Sequence, residues 1–285
     1  MTQYTNPSPE LRARVALEKH GFHTSHSLGQ NFLLDWAFLS ALLDAAGVGP
    51  EDRVLEIGPG PGLMTALLAA RCQRVLAVEV DRGLEPVLHD VLQGMENAEV
   101  RFEDILKSDL RSLMGEEPYR VVANLPYYIT ADVLLKLTTA PNPPESIAIM
   151  VQKEAADRIT SSPGGKSWCA LAATVQSYGA AEALADVPPE YFSPPPHVMS
   201  RFLLIRRHPD PVVTPADYAL YLRVINAAFA MRRKTHLNNI KAAFRMDAET
   251  AGQILEAADI DPRVRGEALS LEALARLSDV IGERI

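Results

Sequence analysis

Three short segments carry residue types that could handle a nucleoside. Glu56-Ile57-Gly58-Pro59-Gly60-Pro61-Gly62 follows an apolar run and opens a helical pattern, which puts bare backbone where a ligand must come close. A dinucleotide turn needs its third glycine three positions after the second; here that place is Leu63. The loop therefore departs from the dinucleotide fingerprint. Glu79 lies 21 residues after Gly58, where an acidic side chain accepts both hydroxyls of a ribose, and Asp104 follows the third apolar run, where a carboxylate can take an adenine amino group. The third segment is Asn124-Leu125-Pro126-Tyr127-Tyr128-Ile129-Thr130. An exocyclic adenine nitrogen is a poor nucleophile because its lone pair is delocalised into the ring. The Asn124 side-chain oxygen and the Leu125 carbonyl could each accept one N–H and turn that lone pair toward an electrophile. Pro126 keeps the Leu125 carbonyl out of a sheet, and Tyr127 can stack on an extruded base. With an activated methyl donor no general base is demanded, because positioning supplies most of the rate.

Such residues need strand ends to hold them. Short apolar runs at 54–57, 75–78, 100–102, 119–123 and 147–151 alternate with helical patterns at 63–72, 84–95, 106–114 and 130–140, the signature of βαβ units and a parallel sheet. Glu79, Asp104 and Asn124 then sit at the carboxyl ends of strands, the ligand crevice of doubly wound sheets. Upstream, residues 8–21 read as a helix capped by Ser8, with Leu11, Val15 and Ala16 on its apolar side and Gly21 as terminator. A second helix runs from Asp35 through Ala46 to Gly47. Further elements are predicted at 153–161, 168–179, 181–187 and 198–206, with Trp36 and Trp168 on apolar helical faces. His208-Pro209-Asp210-Pro211 breaks the chain; beyond it 215–230, 234–245, 248–258 and 270–282 read as helices, started by Thr214-Pro215 and Ser270.

The 285 residues, 47% hydrophobic and 22% charged, exclude disordered, collagen-like and coiled-coil classes. Cys72 and Cys169 cannot form a disulfide framework and read as small buried apolar residues of a reducing, cytoplasmic compartment. The N-terminus lacks the basic start and apolar run of a signal peptide, and no stretch has a transmembrane pattern, so no membrane partner is expected. His20, His23 and His26 are spaced by three, but without cysteine or carboxylate partners in register no metal is expected. A formal charge of −8 argues against nucleic-acid binding by charge alone. The positive charge is local: between Asp217 and Asp247 there is no acidic residue, while Arg223, Arg232, Arg233, Lys234, Lys241 and Arg245 cluster.

Glu-x-Gly-x-Gly-x-Gly is the motif of class I S-adenosylmethionine-dependent methyltransferases. In one order with it occur His26 to Leu33, Glu79-Val80-Asp81, Glu103-Asp104, Asn124 to Thr130, Gln152-Lys153-Glu154, Phe192-Ser193-Pro194-Pro195-Pro196 and Arg232-Arg233-Lys234-Thr235. From about residue 25 to about 280 the chain resembles the ribosomal RNA adenine dimethyltransferases, most nearly their bacterial small-subunit (kasugamycin-sensitivity) branch. The resemblance implies an α/β fold: a Rossmann-like methyltransferase sheet with a small C-terminal all-α domain, divided as an N-terminal extension 1–24, a methyltransferase domain 25–210 and a helical RNA-binding domain 211–285. It implies dimethylation of two adjacent adenosines in the 3′-terminal hairpin of 16S rRNA during small-subunit biogenesis, using S-adenosylmethionine; a monomer is the default expectation. Asn31, Leu33, Gly58, Gly60, Glu79, Asp104 and Asn124 would hold that cofactor. Asn124, Leu125, Pro126 and Tyr127 would form the acceptor site, with Phe192 as a second aromatic beside the base. Arg232, Arg233, Lys234 and Lys241 would bind RNA. Two features depart from the family pattern: His197 stands where lysine is usual after the proline run, and the 23–27 loop carries histidines where lysine or arginine is common. They point to recognition of an assembled particle by shape. Two alternatives stand beside this reading: a large-subunit (23S) adenine methyltransferase of the antibiotic-resistance type, and a non-catalytic assembly or transcription factor on the same fold.

Overall fold

The computed structural model describes residues 8–25 and 28–284; His26 and Ser27, and with them part of the histidine triplet and the start of the N-terminal motif, lie outside the described residues, as do residues 1–7 of the predicted extension. The chain divides into two compact units, one of residues 1–156 and 182–206 and one of residues 157–181 and 207–285. The reading of the sequence drew its second boundary near 210 and assigned 157–181 to the sheet domain. Those residues instead group with the helical unit, because the apolar helix they contain faces a helical core.

In the first unit, α1 (Pro9–Lys19) is capped by Ser8, whose hydroxyl accepts from the Leu11 N–H at 3.3 Å. Its inward face is Ala13 and Ala16, and Leu11 and Val15, expected there, are half exposed; small residues let α1 lie close against its neighbours. The two-residue strand β1 (Phe32–Leu33) precedes α2 (Trp36–Ala46), which Asp35 caps and Gly47 ends in the left-handed conformation at φ 71°. Then β2 (Arg53–Ile57), α3 (Leu63–Ala69), β3 (Arg74–Glu79), α4 (Glu85–Val91), β4 (Ala98–Phe102), α5 (Leu110–Met114), β5 (Arg120–Asn124), α6 (Thr130–Thr138) and β6 (Ser146–Gln152) alternate as predicted. Strands buried on both faces read as unbroken apolar runs, and β2, β3, β5 and β6 are buried along most of their length.

Next come α7 (Lys153–Ile159), α8 (Ala170–Tyr178), β7 (Gly179–Val187), β8 (Phe192–Ser193) and β9 (Ser200–Arg207). The seven-stranded sheet has the order β4-β3-β2-β5-β6-β9-β7, parallel from β4 to β6 and antiparallel where β9 meets β6. The five runs expected to form a parallel sheet do so, and β9, whose direction the local pattern left open, returns antiparallel at that edge. A separate two-stranded ladder pairs β1 with β8 antiparallel, Phe32 opposite Ser193 and Leu33 opposite Phe192.

The second unit is helical: α8, α9 (Tyr218–Ala230), α10 (His236–Phe244), α11 (Ala248–Ala257) and α12 (Leu271–Gly282) surround a core that includes Trp168, Tyr221, Val224, Ile254 and Leu274. Asp217, Asp247 and Ser270 cap α9, α11 and α12. The expected start at Thr214-Pro215 is therefore displaced to Asp217, whose carboxylate accepts from the Leu220 N–H at 3.0 Å. Trp168 precedes α8 rather than lying on it; its ring is buried and its Nε1–H donates to the Leu269 carbonyl at 3.0 Å. Cys72 is buried, whereas Cys169 is only partly so, a departure from the expectation that both fill core space.

Gly266 meets the backbone of α9, where a Cβ would stand 2.0 Å from the Ala228 carbonyl oxygen. Backbone on both sides leaves nothing free to yield, so Gly266→Ala is expected to cost about 3 kcal/mol or more, read as a lowered urea midpoint. Gly252→Ala, where a Cβ meets open space on α11, is the control and should leave the midpoint at or above its wild-type position.

Candidate active site

A pocket of about 320 Å³ opens in the first unit at the carboxyl ends of β2 to β5. Its wall includes Asn31, Leu33, Gly58, Gly60, Glu79, Asp104, Asn124, Leu125, Pro126, Tyr127 and Phe192, so every expected cofactor and acceptor residue lies around one cavity. Arg232, Arg233, Lys234 and Lys241 belong to the second unit, in the turn between α9 and α10 and on α10.

The glycine turn is built for close approach. Gly58, Gly60 and Gly62 have φ of 72°, 55° and 85°, a region open to glycine at little cost. At Gly60 a Cβ would also stand 2.9 Å from the Phe32 ring, so the missing side chain admits the N-terminal segment.

Glu79 is buried, and its Oε1 accepts from the backbone N–H groups of Val80 and Asp81 at 2.8 and 2.9 Å while Oε2 takes, among the described residues, only the Gly60 N–H, at 3.3 Å. Burial raises its pKa and those three N–H groups oppose the rise. A carboxylate offers about four acceptor positions, so Oε2 keeps capacity for a ribose hydroxyl. Asp104 is held by its own turn: Oδ1 accepts from the Leu106 N–H at 3.0 Å, and Oδ2 lies 3.3 Å from Lys107 Nζ.

At the end of β5, Asn124 Nδ2 donates to the Asn31 carbonyl at 3.2 Å. A carbonyl can only accept, so this contact fixes which end of the near-symmetric amide carries nitrogen and leaves Oδ1 as an acceptor beside the pocket. Asn31 is itself held, its Nδ2 donating to the Gly29 carbonyl at 3.1 Å. Leu125 is buried, and Tyr127, partly buried, shares a hydrogen bond of 2.6 Å with Ser200 Oγ at the start of β9. Phe192 reaches the same wall through the β1–β8 ladder.

Several parts of the site escaped the reading of the sequence. Gln30 accepts from the Ser25 N–H at 2.8 Å and donates to Asp81 Oδ2 at 2.7 Å, clasping the N-terminal segment to the turn after β3. The two-residue ladder is too short to give an alternating pattern. His20 has a carboxylate partner after all, Asp90 at 2.8 Å, contributed by α4 from far along the chain. Beneath the glycine turn, Glu56 is fully buried, and neither carboxyl oxygen has a hydrogen-bond partner among the described residues. Burial pushes its pKa up to about 8, with the nearby Thr65 hydroxyl opposing and the Glu79 charge reinforcing the shift.

The strand order, the antiparallel β9 edge and the glycine turn after β2 define a Rossmann-like methyltransferase fold. The model of the family described as "Ribosomal RNA adenine dimethylase" matches residues 21–277. The chain is 39% identical over 278 residues, 95% of each chain, to the ribosomal RNA small subunit methyltransferase A of Bacillus mycoides, and 40% identical with the same coverage to that of Geobacillus thermodenitrificans. Among solved structures, the 23S rRNA methyltransferase ErmE superposes with a TM-score of 0.66 at 26% identity, covering 88% of this chain and all of that one. A dimethyladenosine transferase from Plasmodium falciparum superposes at 0.71 with 22% identity, covering 85% and 94%, a likeness of fold. The chain belongs to the ribosomal RNA adenine dimethylase family.

Because Glu56 is raised from 4.5 to about 8 in the folded state, folded protein binds more protons than unfolded across that window. Its contribution to stability is complete below pH 4.5 and is lost as pH rises through 8. Glu56→Gln keeps the shape and cannot ionise. Its stability relative to wild type is therefore expected to rise steadily from pH 5 to pH 8 in urea denaturation; an offset independent of pH would contradict the assignment.

Proposed function

We propose that the protein dimethylates the exocyclic amino groups of two adjacent adenosines in the 3′-terminal hairpin of 16S rRNA, acting as a cytoplasmic monomer on the small ribosomal subunit or its precursor. The observation that carries this reading is the Asn124–Asn31 contact, which leaves Asn124 Oδ1 as a neutral acceptor at the pocket. The names of the two bacterial relatives support the small subunit as the target. The 23S enzyme shares less identity with this chain and supports the large-subunit alternative correspondingly less.

The donor set of the pocket fits S-adenosylmethionine: the glycine turn for the amino-acid tail, Glu79 for the ribose, Asp104 for the adenine amine, and Asn31, Leu33 and Asn124 along its length. When bound, it supplies a methyl group already activated on a sulfonium. Asn124 Oδ1 and the Leu125 carbonyl each accept a hydrogen bond from an N–H of the acceptor amine and aim its lone pair. Tyr127, anchored through Ser200, and Phe192 hold the extruded base. An amide serves where a carboxylate would bring a charge that favours ground-state binding of a cation over orientation of the amine. No group is required to remove a proton before transfer, so chain geometry, rather than a titrating base, sets the rate.

The second unit supports RNA binding through charge. Arg223, Arg232, Arg233, Lys234, Lys241 and Arg245 make no ion pair within 4.0 Å among the described residues; Arg232 donates to the Lys166 carbonyl and Arg223 lies over the Phe244 ring. In the first unit Arg53, Arg74, Arg101 and Arg120 each meet a carboxylate. Cations left unpaired keep their donors for phosphate.

Methyl transfer to purified small and large subunits tests the target: label is expected in 16S rRNA, and label confined to 23S rRNA would overturn the reading. Asn124→Ala is expected to lower turnover about 10²–10³-fold while S-adenosylhomocysteine still binds; near-normal turnover would remove Asn124 from the chemistry. Replacing Arg232, Arg233 and Lys234 together by alanine should reduce the slope of log K against log salt for subunit binding by about 2, with turnover at saturating subunits preserved.

A further inference from the structure

We propose that Tyr128 is a second stacking platform at the pocket mouth, for the nucleobase that adjoins the acceptor adenosine, so that the site receives a dinucleotide step rather than one base. The inference rests on the acceptor reading above and extends it to a neighbour in the substrate.

Pro126 is followed by a 3₁₀ turn, Tyr127–Ile129, closed by the Ile129 N–H donating to the Pro126 carbonyl at 3.2 Å. At three residues per turn, successive side chains diverge by about 120°, so two neighbouring tyrosines cannot serve the same base. Their surroundings differ accordingly. Tyr127 is partly buried with its hydroxyl bound to Ser200, whereas Tyr128 is 63% exposed, although its side chain borders the same pocket. Among the described residues the Tyr128 ring stacks on no aromatic neighbour and its hydroxyl has no hydrogen bond.

An exposed tyrosine alone means little. Tyr128 is braced, however. A Cβ built on Gly29 would stand 3.1 Å from Pro126 Cβ and 3.5 Å from Tyr128 Cε1, so one ring edge lies beside the Gly29 turn, which carries a glycine there at φ 60°. The ring is thus held beside the acceptor turn with most of its surface open. Its place in the sheet separates it from the nucleoside end of the cofactor. Glu79 ends β3 and Asp104 follows β4, on one side of β2, whereas Tyr128 lies in the turn after β5 on the other. What arrives next to a base drawn out of an RNA strand is the next base of that strand. Stacking on an aromatic face tolerates any base, so the platform would register adjacency rather than sequence. It would keep the second adenosine in contact with the protein while the first is modified.

The test compares Tyr128→Ala, Tyr128→Phe and Tyr128→Leu with wild type on unmethylated small subunits. Kinetics, calorimetric titration with S-adenosylhomocysteine and mass spectrometry of the 16S rRNA product are read together. Tyr128→Ala is expected to raise KM for subunits about tenfold, as for loss of one aromatic–base stack. Cofactor affinity should not change, and product modified at only one of the two adenosines should accumulate. Tyr128→Phe should restore both KM and product; Tyr128→Leu should not. The proposal is overturned if Tyr128→Ala keeps the wild-type KM, if leucine restores it as well as phenylalanine, or if cofactor affinity falls in step with KM. Wild-type protein that transfers no methyl group to small subunits overturns the acceptor reading itself, a result separable from the behaviour of any Tyr128 variant.

Discussion

A primary amide is nearly symmetric, and only its partners decide which end accepts. In this protein the Asn31 carbonyl makes that decision for Asn124, from 93 residues away in the chain. The contact exists only if the segment around Asn31 is held at the end of β5, and three further interactions hold it there. The β1–β8 ladder fixes Leu33 opposite Phe192, Gln30 clasps Ser25 and Asp81, and the Phe32 ring occupies the space that Gly60 leaves by lacking a side chain. The orientation of Asn124 therefore depends on a junction of five chain segments rather than on the Asn-Leu-Pro-Tyr turn alone. Disturbing any one of them reaches the same amide.

The carboxyls beneath and beside the glycine turn show how the fold divides charge. Glu56 and Glu79 both lose solvent, and burial raises both pKa values. Glu79 is rescued by three backbone N–H groups that the turn after β3 and the glycine loop direct at it, and it can face a ligand as an acceptor. Glu56 has no such partners among the described residues and is destabilised as an anion. An unpartnered buried carboxyl is expensive to keep ionised, so at neutral pH the cheaper state is the protonated one. Only one of the two carboxyls thereby has backbone donors aimed at it and borders the pocket.

Charge is divided between the units as well. A net −8 describes the whole chain and hides the fact that several arginines of the sheet unit are paired with carboxylates while six cations of the helical unit make no ion pair among the described residues. Affinity for a phosphate backbone depends on unpaired cations and the counterions they displace, not on the sum over the molecule. An acidic protein can bind RNA when its acids are spent on internal pairs elsewhere.

The parallel strands, the helices between them, the glycine turn and the caps at Asp35 and Ser270 were all legible in the residues, because each depends on contacts within a few positions: apolar periodicity, a capping oxygen, a φ only glycine reaches cheaply. The motif residues themselves were legible for the same reason, being consecutive at strand ends. What local pattern could not supply was partnership. Leu11 and Val15 matched an apolar stripe, yet close approach by neighbouring helices selected Ala13 and Ala16 as the buried face. The grouping of Asp157–Ala181 with the helical unit, the antiparallel β9 edge, the β1–β8 pairing and the orientation of Asn124 each join residues far apart in sequence. Such joins depend on register and on which surfaces meet after collapse, quantities that no window of the chain contains and that only the packed structure decides.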